Sequence, residues 1–599
     1  MNGFSGWDWA IFSIFLCGSL GTGVVAGWIG RRKVKKKQKE GSEEGGGAAE
    51  EFLSGGRKMN PVMIAMSTMI GAISSISVVG NPAEMYAYGT QLWSNLFGMC
   101  LGFIYVHLVI LTVLYPLKIT SVYTYIEKRF KSPALRTFTV CTTFIGTFFY
   151  MGLCSYAPSL AMETITNFPA WASVIILGVI CTVYTAWGGV RAVVWTDMLQ
   201  SIVLFIGVIF IIIKATTDVG SISEVWTIAD NYNRVEFFNF DPSPLQRHSF
   251  WLVSVQGYFY SLLVMGMGQP QVQRICSVET WNKAIGAHYL NMVLNVALYS
   301  LLNYMGLAVY ALYAGCDPMG TGEIKKPDQI VPFYVDQELG YLHGIAGLFM
   351  AALYAGALSS YSSQINAVAA VLWEDFFKNS KMVAKMEPER RPIVIVIIGV
   401  ITGCAGIVSG IIAGFAGGIF QFGQIILGCI HAPLLGLFIL GMCNPMANKV
   451  GSTIGFSTSL LFNIWITLGS VFYGEPDPTL PWYEDECPIL NVTSTMSYST
   501  TIDAFTTMSS TSDPNDHEPF ALYMVSYTLY SLFGVSITFF VGSIASLATG
   551  PWSTDESGEK YLHPTFYKLM RKWEKKHQPN SLDITAAKST NDLIELEKH

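Results

Sequence analysis

The chain has 599 residues, of which 51% are hydrophobic and only 13% charged, and its mean hydropathy is +0.41. A soluble chain of this length carries about a quarter charged residues, so a wholly soluble protein is excluded. The formal net charge of -6 decides little, because the charges sit between apolar blocks of about 20 residues, each long enough to cross a bilayer. The pattern is that of a polytopic helical membrane protein.

The first apolar block, 8–30, lacks a basic leader and is too long for a signal-peptide core, so it is read as a retained span. The run RRKVKKKQK from Arg31 follows it. Such a run belongs on the cytoplasmic side, which sets the N-terminus outside. The linker to residue 60 is charged, and its glycines Gly45–Gly47 read as a flexible tether. Further spans are expected at 61–80, 92–116, 135–160, 171–189, 198–214, 250–268, 284–313, 344–372, 392–413, 419–442, 450–473 and 520–546, which makes thirteen. An odd count puts the tail inside, with Lys118, Lys128, Arg129, Lys131, Lys378, Lys381, Arg390, Arg391, Arg571 and Lys572. The acidic loops 215–249 and 474–519 then lie outside.

The block from Pro61 mixes Gly71, Ser74, Ser75 and Ser77 into an apolar helix and then meets Gly80-Asn81-Pro82, where the helix is expected to stop. Glycine and clustered serines weaken the hydrogen-bond ladder. Lipid tolerates broken backbone only where it faces protein or a watery cavity. Span 250–268 has the same character, with Gly257, Gly266 and Gly268 ahead of Gln269-Pro270. Interrupted spans at corresponding points of two halves point to a transporter binding site. Glu84, just past Pro82, is expected at the outer aqueous face. His107 and His431 are buried ionisable residues, read either as neutral packing groups or as proton or substrate contacts. No lysine or arginine falls mid-span in the inferred cavity.

The stretch Ala355–Lys378, AGALSSYSSQINAVAAVLWEDFFK, carries Gly356, Ser359, Ser360 and Ser363 on one helical face. That face offers oxygen and little bulk. It suits close helix packing, or a monovalent cation held between these hydroxyls and carbonyls freed in the broken helix from Pro61. Both readings stand at this point.

In the outer loops, Asn491-Val492-Thr493 is a glycosylation sequon. Of 11 cysteines, only Cys316 and Cys487 fall in outer loops, where a disulfide can persist. Phosphate-cradling loops, zinc-spaced Cys/His sets and nucleophile elbows do not appear in a convincing context. The chain is therefore read as no enzyme and no nucleic-acid binder. The charged tail holds a short amphipathic helix near 566–576, suited to the membrane surface or a cytosolic partner.

Several ordered motifs carry a family resemblance: EFLSGGRKM at Glu51, VVGNPAEMYAYG at Val78, TSVYTYIEKRF at Thr120, GLCSYAPSLAM at Gly152, YTAWGGVRAVVWTDMLQ at Tyr184, GQPQVQRICS at Gly268 and ALSSYSSQINAVAA at Ala357. The chain resembles the sodium/solute symporter family, and within it the branch carrying monocarboxylates, vitamins and iodide. That resemblance implies an all-α, leucine-transporter-like fold with a five-plus-five inverted repeat over 61–442. A leading helix (1–30), a linker (31–60), two trailing helices (443–551) and a cytoplasmic tail (552–599) would flank it. It implies a sodium site made by the carbonyls of Ile70, Ile73 and Gly356 and the hydroxyls of Ser359 and Ser360. A second sodium site would involve Asp197 with Ser363, although an Asp near a helix end also reads as a solvated cap. The substrate cavity would be lined by Ala72, Ser74, Ser77, Phe103, Tyr150, Gln256, Phe420 and Gln424. Ser77 and Phe103 stand where iodide carriers have glutamines, which counts against iodide. Gln424 is similar to a sugar-binding glutamine of distant relatives whose other sugar ligands are missing here.

The implied function is sodium-coupled import of a small organic solute, a monocarboxylate or a similar anion or vitamin, across the plasma membrane by alternating access. Sodium is the coupling ion, with no other cofactor. The alternatives are a solute sensor or a sodium-leak channel on the same fold, and iodide as the substrate.

Overall fold

The computed structural model describes residues 4–39, 52–53, 55–378, 380–386, 391–414, 419–474, 477–485, 487, 520–550 and 556–577. Side chains within helices at 31, 33–39, 382, 419–420, 556–558 and 573–577 are left out of the description. The regular structure among the described residues is helical throughout. In chain order the main helices are α1 (Gly6–Lys39), α2 (Pro61–Ala72), α3 (Ser75–Tyr88), α4 (Thr90–Leu117), α5 (Pro133–Thr166), α6 (Ala170–Val219), α7 (Phe250–Met267) and α8 (Gln269–Ile275). They continue as α9 (Trp281–Tyr313), α10 (Ile345–Phe377), α11 (Arg391–Ala413), α12 (Gln421–Cys443), α13 (Lys449–Tyr473), α14 (Tyr527–Ala548) and α15 (Pro564–His577).

Eleven of these are long and apolar enough to cross a membrane, and the bent pair α2–α3 adds a twelfth crossing. The expected spans 171–189 and 198–214 both lie in α6, which has 50 residues. A straight helix of that length would reach about 75 Å, against a hydrocarbon core of about 30 Å. The chain leaves helical geometry at Gly189, where φ is +58°. Only glycine takes that conformation freely, and a Cβ there would lie 2.5 Å from the Phe52 carbonyl oxygen.

The first break falls earlier than the sequence suggests. Helix α2 ends at Ala72, Ile73 (φ −88°, ψ 96°) and Ser74 (φ −85°, ψ 174°) are extended, and α3 departs at 59° to α2. Gly80, Asn81 and Pro82, expected to end the helix, lie inside α3 instead. The ladder restarts at once, with the amides of Ser77 and Val78 donating to the Ser74 carbonyl at 3.0 and 3.2 Å. Pro82 is then one missing donor inside buried protein, where Gly306 of α9 lets α9 press against its backbone. The second break follows a π turn in α7, with Gly268 (φ −57°, ψ 116°) separating α7 from α8. With α6 counted as two crossings, five separate the start of α2 from the start of α7. The two broken helices therefore run in opposite directions.

Helix α10 is the most enclosed of the spans. It packs against α6, α5, α1, α11, α2 and α3. Its N-terminus is held by the leading helix: the amides of Gly344 and Gly347 both donate to Asp8 Oδ1 at 2.9 Å. A carboxylate at that end also complements the helix dipole. A disulfide joins Cys316 to Cys487, and the buried Arg234 donates to the carbonyls of Ala87 and Pro481. Both tie residues 477–485 and Cys487 down over α3. Arg129, expected among the solvated inner charges, is instead buried and donates to the carbonyls of Gly441 (2.7 Å) and Asn444 (2.8 Å).

Candidate cation site and solute cavity

Helix α2 ends without a successor turn, so the carbonyls of Ile70, Gly71 and Ala72 lose the amides that would continue the ladder. Gly356 brings α10 onto this break. A Cβ at Gly356 would lie 3.1 Å from Ser75 N, 3.3 Å from the Ser74 carbonyl carbon and 3.6 Å from the Ile73 oxygen. One turn further on stand Ser359 and Ser360, both fully buried. Ser359 Oγ donates to Asp197 Oδ1 at 2.7 Å, which leaves its lone pairs free. Ser360 Oγ completes no well-formed hydrogen bond among the described residues, the Tyr150 hydroxyl being the polar group beside it. Gly356 thus sets α10 against the backbone of Ile73 and Ser74, one turn before the buried hydroxyls of Ser359 and Ser360; these are oxygens of the hard type a sodium ion takes.

Asp197 is not a solvated cap. It is fully buried in α6, where it accepts from Ser67 Oγ (2.6 Å), Ser359 Oγ (2.7 Å) and Arg274 Nη2 (2.7 Å). Arg274, on α8, also donates to the Ser67 carbonyl (2.8 Å), to Gln271 Oε1 (3.3 Å) and to Ser363 Oγ (2.5 Å). The position beside Asp197 and Ser363, expected to hold a second sodium, is filled in this state by the guanidinium. Helical spacing does not disclose this pairing. Its only sequence signal is an arginine six residues beyond the Gly268 break.

Beside the α2–α3 break lies a partly open cavity. Of the expected lining, Ala72, Ser74, Ser77, Tyr150 and Gln424 face it. Phe103 does not: it is 1% exposed and its ring packs on His288, with centroids 5.0 Å apart. Gln256 is likewise buried away from the cavity, with neither amide atom partnered. The Phe420 side chain and Asn491 lie outside the described residues. The wall also includes Thr143, Thr147, Tyr260, Gln271, Gln364 and His431, of which only His431 had been singled out in the sequence. Among the described residues, no lysine, arginine or carboxylate lines the cavity. Tyr260 donates to the freed Ala72 carbonyl (3.2 Å) and accepts from Tyr299 (3.0 Å), which meets Ser77 at 3.4 Å. A hydroxyl chain thus runs from the solute cavity to the helix break.

The cavity reaches Tyr123 and Gln269. Gln269 is tied to the 118–131 connection by bonds from Val122 N (2.8 Å) and to the Thr120 carbonyl (2.7 Å). At the other end of α3, Glu84 is buried rather than at an aqueous face. Arg247 donates to both its oxygens (2.7 and 3.2 Å) and to Asp477 (2.6 Å), and lies over the rings of Tyr88 and Tyr527.

Residues 52–458 match the sodium:solute symporter family. The chain belongs to that family. It is 33% identical over 558 residues to the human sodium/iodide cotransporter, a match covering 92% of this chain and 84% of that one. It is also 33% identical over 560 residues to sodium-coupled monocarboxylate transporter 1 of Xenopus laevis, covering 92% and 86%. Among solved structures, a substrate-bound, outward-open Na+-coupled sialic acid symporter matches with TM-score 0.69 at 20% identity, covering 92% of this chain and 99% of that one. That likeness shows the fold. The relatives of this symporter-family chain are sodium-coupled transporters, not enzymes, and sodium is the coupling ion of the family.

Proposed function

We propose that this chain imports a small organic anion, a monocarboxylate or a similar short-chain acid, together with sodium. The observation that carries the sodium half is Ser360. A buried hydroxyl left without a well-formed hydrogen bond costs about 1–3 kcal/mol, and this one, with only the Tyr150 hydroxyl beside it, stands one residue from Ser359, on the turn after Gly356 faces the ends of α2. A sodium ion there would take up that oxygen together with the carbonyls of Ile70, Ile73 and Gly356.

The solute half rests on the cavity wall. Helix α3 begins at Ser75, its Ser74 side chain makes no cap, and its N-terminal end is turned toward the space lined by Ser74, Ser77 and Tyr260. A helix N-terminus with hydroxyls beside it suits a carboxylate without a lysine or arginine. Ile76, Leu263 and Leu427 offer a short apolar surface for the rest of the solute. Iodide, a rival substrate, would leave the hydroxyl and amide groups of this wall poorly used. The Arg247 cluster closes one end of the path while the cavity extends toward Tyr123, an arrangement suited to alternating access. A tenfold sodium gradient supplies about 1.4 kcal/mol, and about 60 mV supplies roughly another 1.4. One sodium moved with one monoanion carries no net charge, so only the gradient acts and accumulation is about tenfold; a second sodium brings in the potential and raises this to about 1,000-fold.

The test is uptake of labelled short monocarboxylates and of iodide into cells carrying the chain, in sodium and in choline medium. Sodium-dependent uptake of a monocarboxylate, with weaker iodide uptake, is expected. Solute-evoked signals without accumulation would replace this reading with a sensor, and sodium current without solute with a leak channel.

A further inference from the structure

Arg274 is held by four partners and borders a small gap. Its guanidinium spans Asp197 of α6, Ser67 of α2 and Ser363 of α10, while its own backbone belongs to α8, the short helix beyond the second break. It fits there because residue 71 is glycine. A Cβ on Gly71 would collide with Arg274 Nη1. Behind the guanidinium lies a small gap, with room for about one water, lined by Arg274, Ser363 and Asn366. Asn366 is 6% exposed, and its Oδ1 has no partner among the described residues. The guanidinium therefore has a second acceptor within the same enclosed space.

Asp197 is linked to both cations of the proposed cycle, to one directly and to the other through a hydroxyl. Its Oδ2 binds Arg274, and its Oδ1 accepts the proton of Ser359, whose oxygen belongs to the sodium site. With the guanidinium in place the carboxylate is neutralised. A sodium ion one hydroxyl away then sees little net attraction, and the two positive charges repel across a dry interior. With the guanidinium turned to Asn366, the carboxylate charge acts on the sodium through Ser359.

We infer that Arg274 is a tethered cation that competes with the transported sodium for Asp197. Its docking against Asp197, Ser67 and Ser363 weakens the sodium site and drives release on the side where the cavity opens. Its withdrawal toward Asn366 restores affinity. This inference rests on the sodium-symport reading above, and it adds to that reading the group that lowers sodium affinity.

The test uses purified full-length protein and two readouts besides transport: equilibrium binding of radioactive sodium and thermal stabilisation by sodium. Arg274→Gln is expected to bind sodium at a concentration on the order of tenfold lower than the parent chain, with slower uptake. Arg274→Lys keeps the charge and should stay near the parent. Gly71→Ala, which crowds the guanidinium without altering any charge, should shift sodium affinity in the same direction as Arg274→Gln. Asp197→Asn leaves the arginine unopposed and should weaken sodium binding, and Asp197→Asn/Arg274→Gln should recover it. The double variant also serves if Arg274→Gln alone fails to fold. Unchanged or weaker sodium binding in folded Arg274→Gln, or no recovery in the double variant, overturns the inference. If the parent responds to sodium and Ser360→Ala abolishes that response while Arg274→Gln binds as the parent does, only the arginine inference falls. A parent chain with no sodium response removes the symport reading and this inference with it.

Discussion

The substitution Glu84→Gln tests whether the Arg247 cluster holds the outer entrance shut. Arg247 and Glu84 have side-chain exposures of 9% and 7% and meet through two hydrogen bonds, at 2.7 and 3.2 Å. Removing one partner of a buried pair costs about 3–5 kcal/mol. Glutamine keeps one acceptor, and Arg247 retains Asp477, itself 27% exposed, and Gln421, so about 2 kcal/mol is the appropriate discount of that range. If the pair forms only when the entrance is closed, the closed-to-open ratio falls roughly thirtyfold. The assay is labelling of a Ser77→Cys reporter in the cavity by an impermeant thiol reagent added outside, in sodium-free medium. The labelling rate is expected to rise tenfold or more. Glu279→Gln provides the control, because the Lys283–Glu279 pair is more than half exposed on both sides and such pairs contribute little. Equal labelling of the parent and Glu84→Gln, at equal surface amounts, would show that the cluster only braces the loops.

The same labelling should depend on pH. Burial first, and then the neighbouring Arg247 charge, hold His248 well below the ordinary value of 6.5. The closed state thus keeps His248 neutral and loses stability as pH falls below about 6.5, where water-exposed histidine takes a proton. Labelling should rise from about pH 6.5 to 5.5 and stay flat above, and a parent-like rise in His248→Gln would refute this cause. Tyr260→Phe strands the Ala72 carbonyl and the Tyr299 hydroxyl; at about 1.4 kcal/mol, the half-saturating solute concentration should rise about tenfold, whereas an unchanged value would remove the hydroxyl chain from solute binding. Peptide mapping of surface protein should recover Cys316 bridged to Cys487, and free thiols at both would contradict the fold of the outer segment. Glycan at Asn491 is expected in the same material, and an N-terminal epitope reached only after permeabilisation would overturn the orientation.

The spans and the serine face of α10 were legible in the sequence because both rest on local periodicity. The break was read several residues late because Gly80 and Pro82 are the strongest local punctuation. What ends α2 is tertiary: Gly356 crosses at Ile73-Ser74, and Ser75 Oγ bonds the Cys154 carbonyl at 2.7 Å. Phe103 was misplaced for a similar reason. Gly98 and Gly102 press α4 against Ser254 and Ser261 of α7, and the next residue, Phe103, then meets His288 of α9 instead of the cavity. Gln256 sits beside Gly257, which lies hard against Asn95. The Asp197–Arg274 pair spans 77 residues of sequence, and no spacing rule connects an aspartate in one buried helix with an arginine beyond the break of another.

The central claim is that sodium binds where α10 crosses the broken helix, and Ser360→Ala tests it most directly. Alanine is as small as serine and a good helix former, so a surface used only for packing would tolerate the change. A site without a formal carboxylate ligand depends on each oxygen that replaces the ion's water. Uptake is measured against sodium concentration for the parent, Ser360→Ala and Ser362→Ala, the last having its hydroxyl turned back to the Ser359 carbonyl at 3.1 Å. The half-saturating sodium concentration should rise at least tenfold in Ser360→Ala, or uptake should vanish at normal surface amounts, while Ser362→Ala stays near the parent. An unchanged sodium dependence in Ser360→Ala would contradict the account and leave this face of α10 as a packing surface.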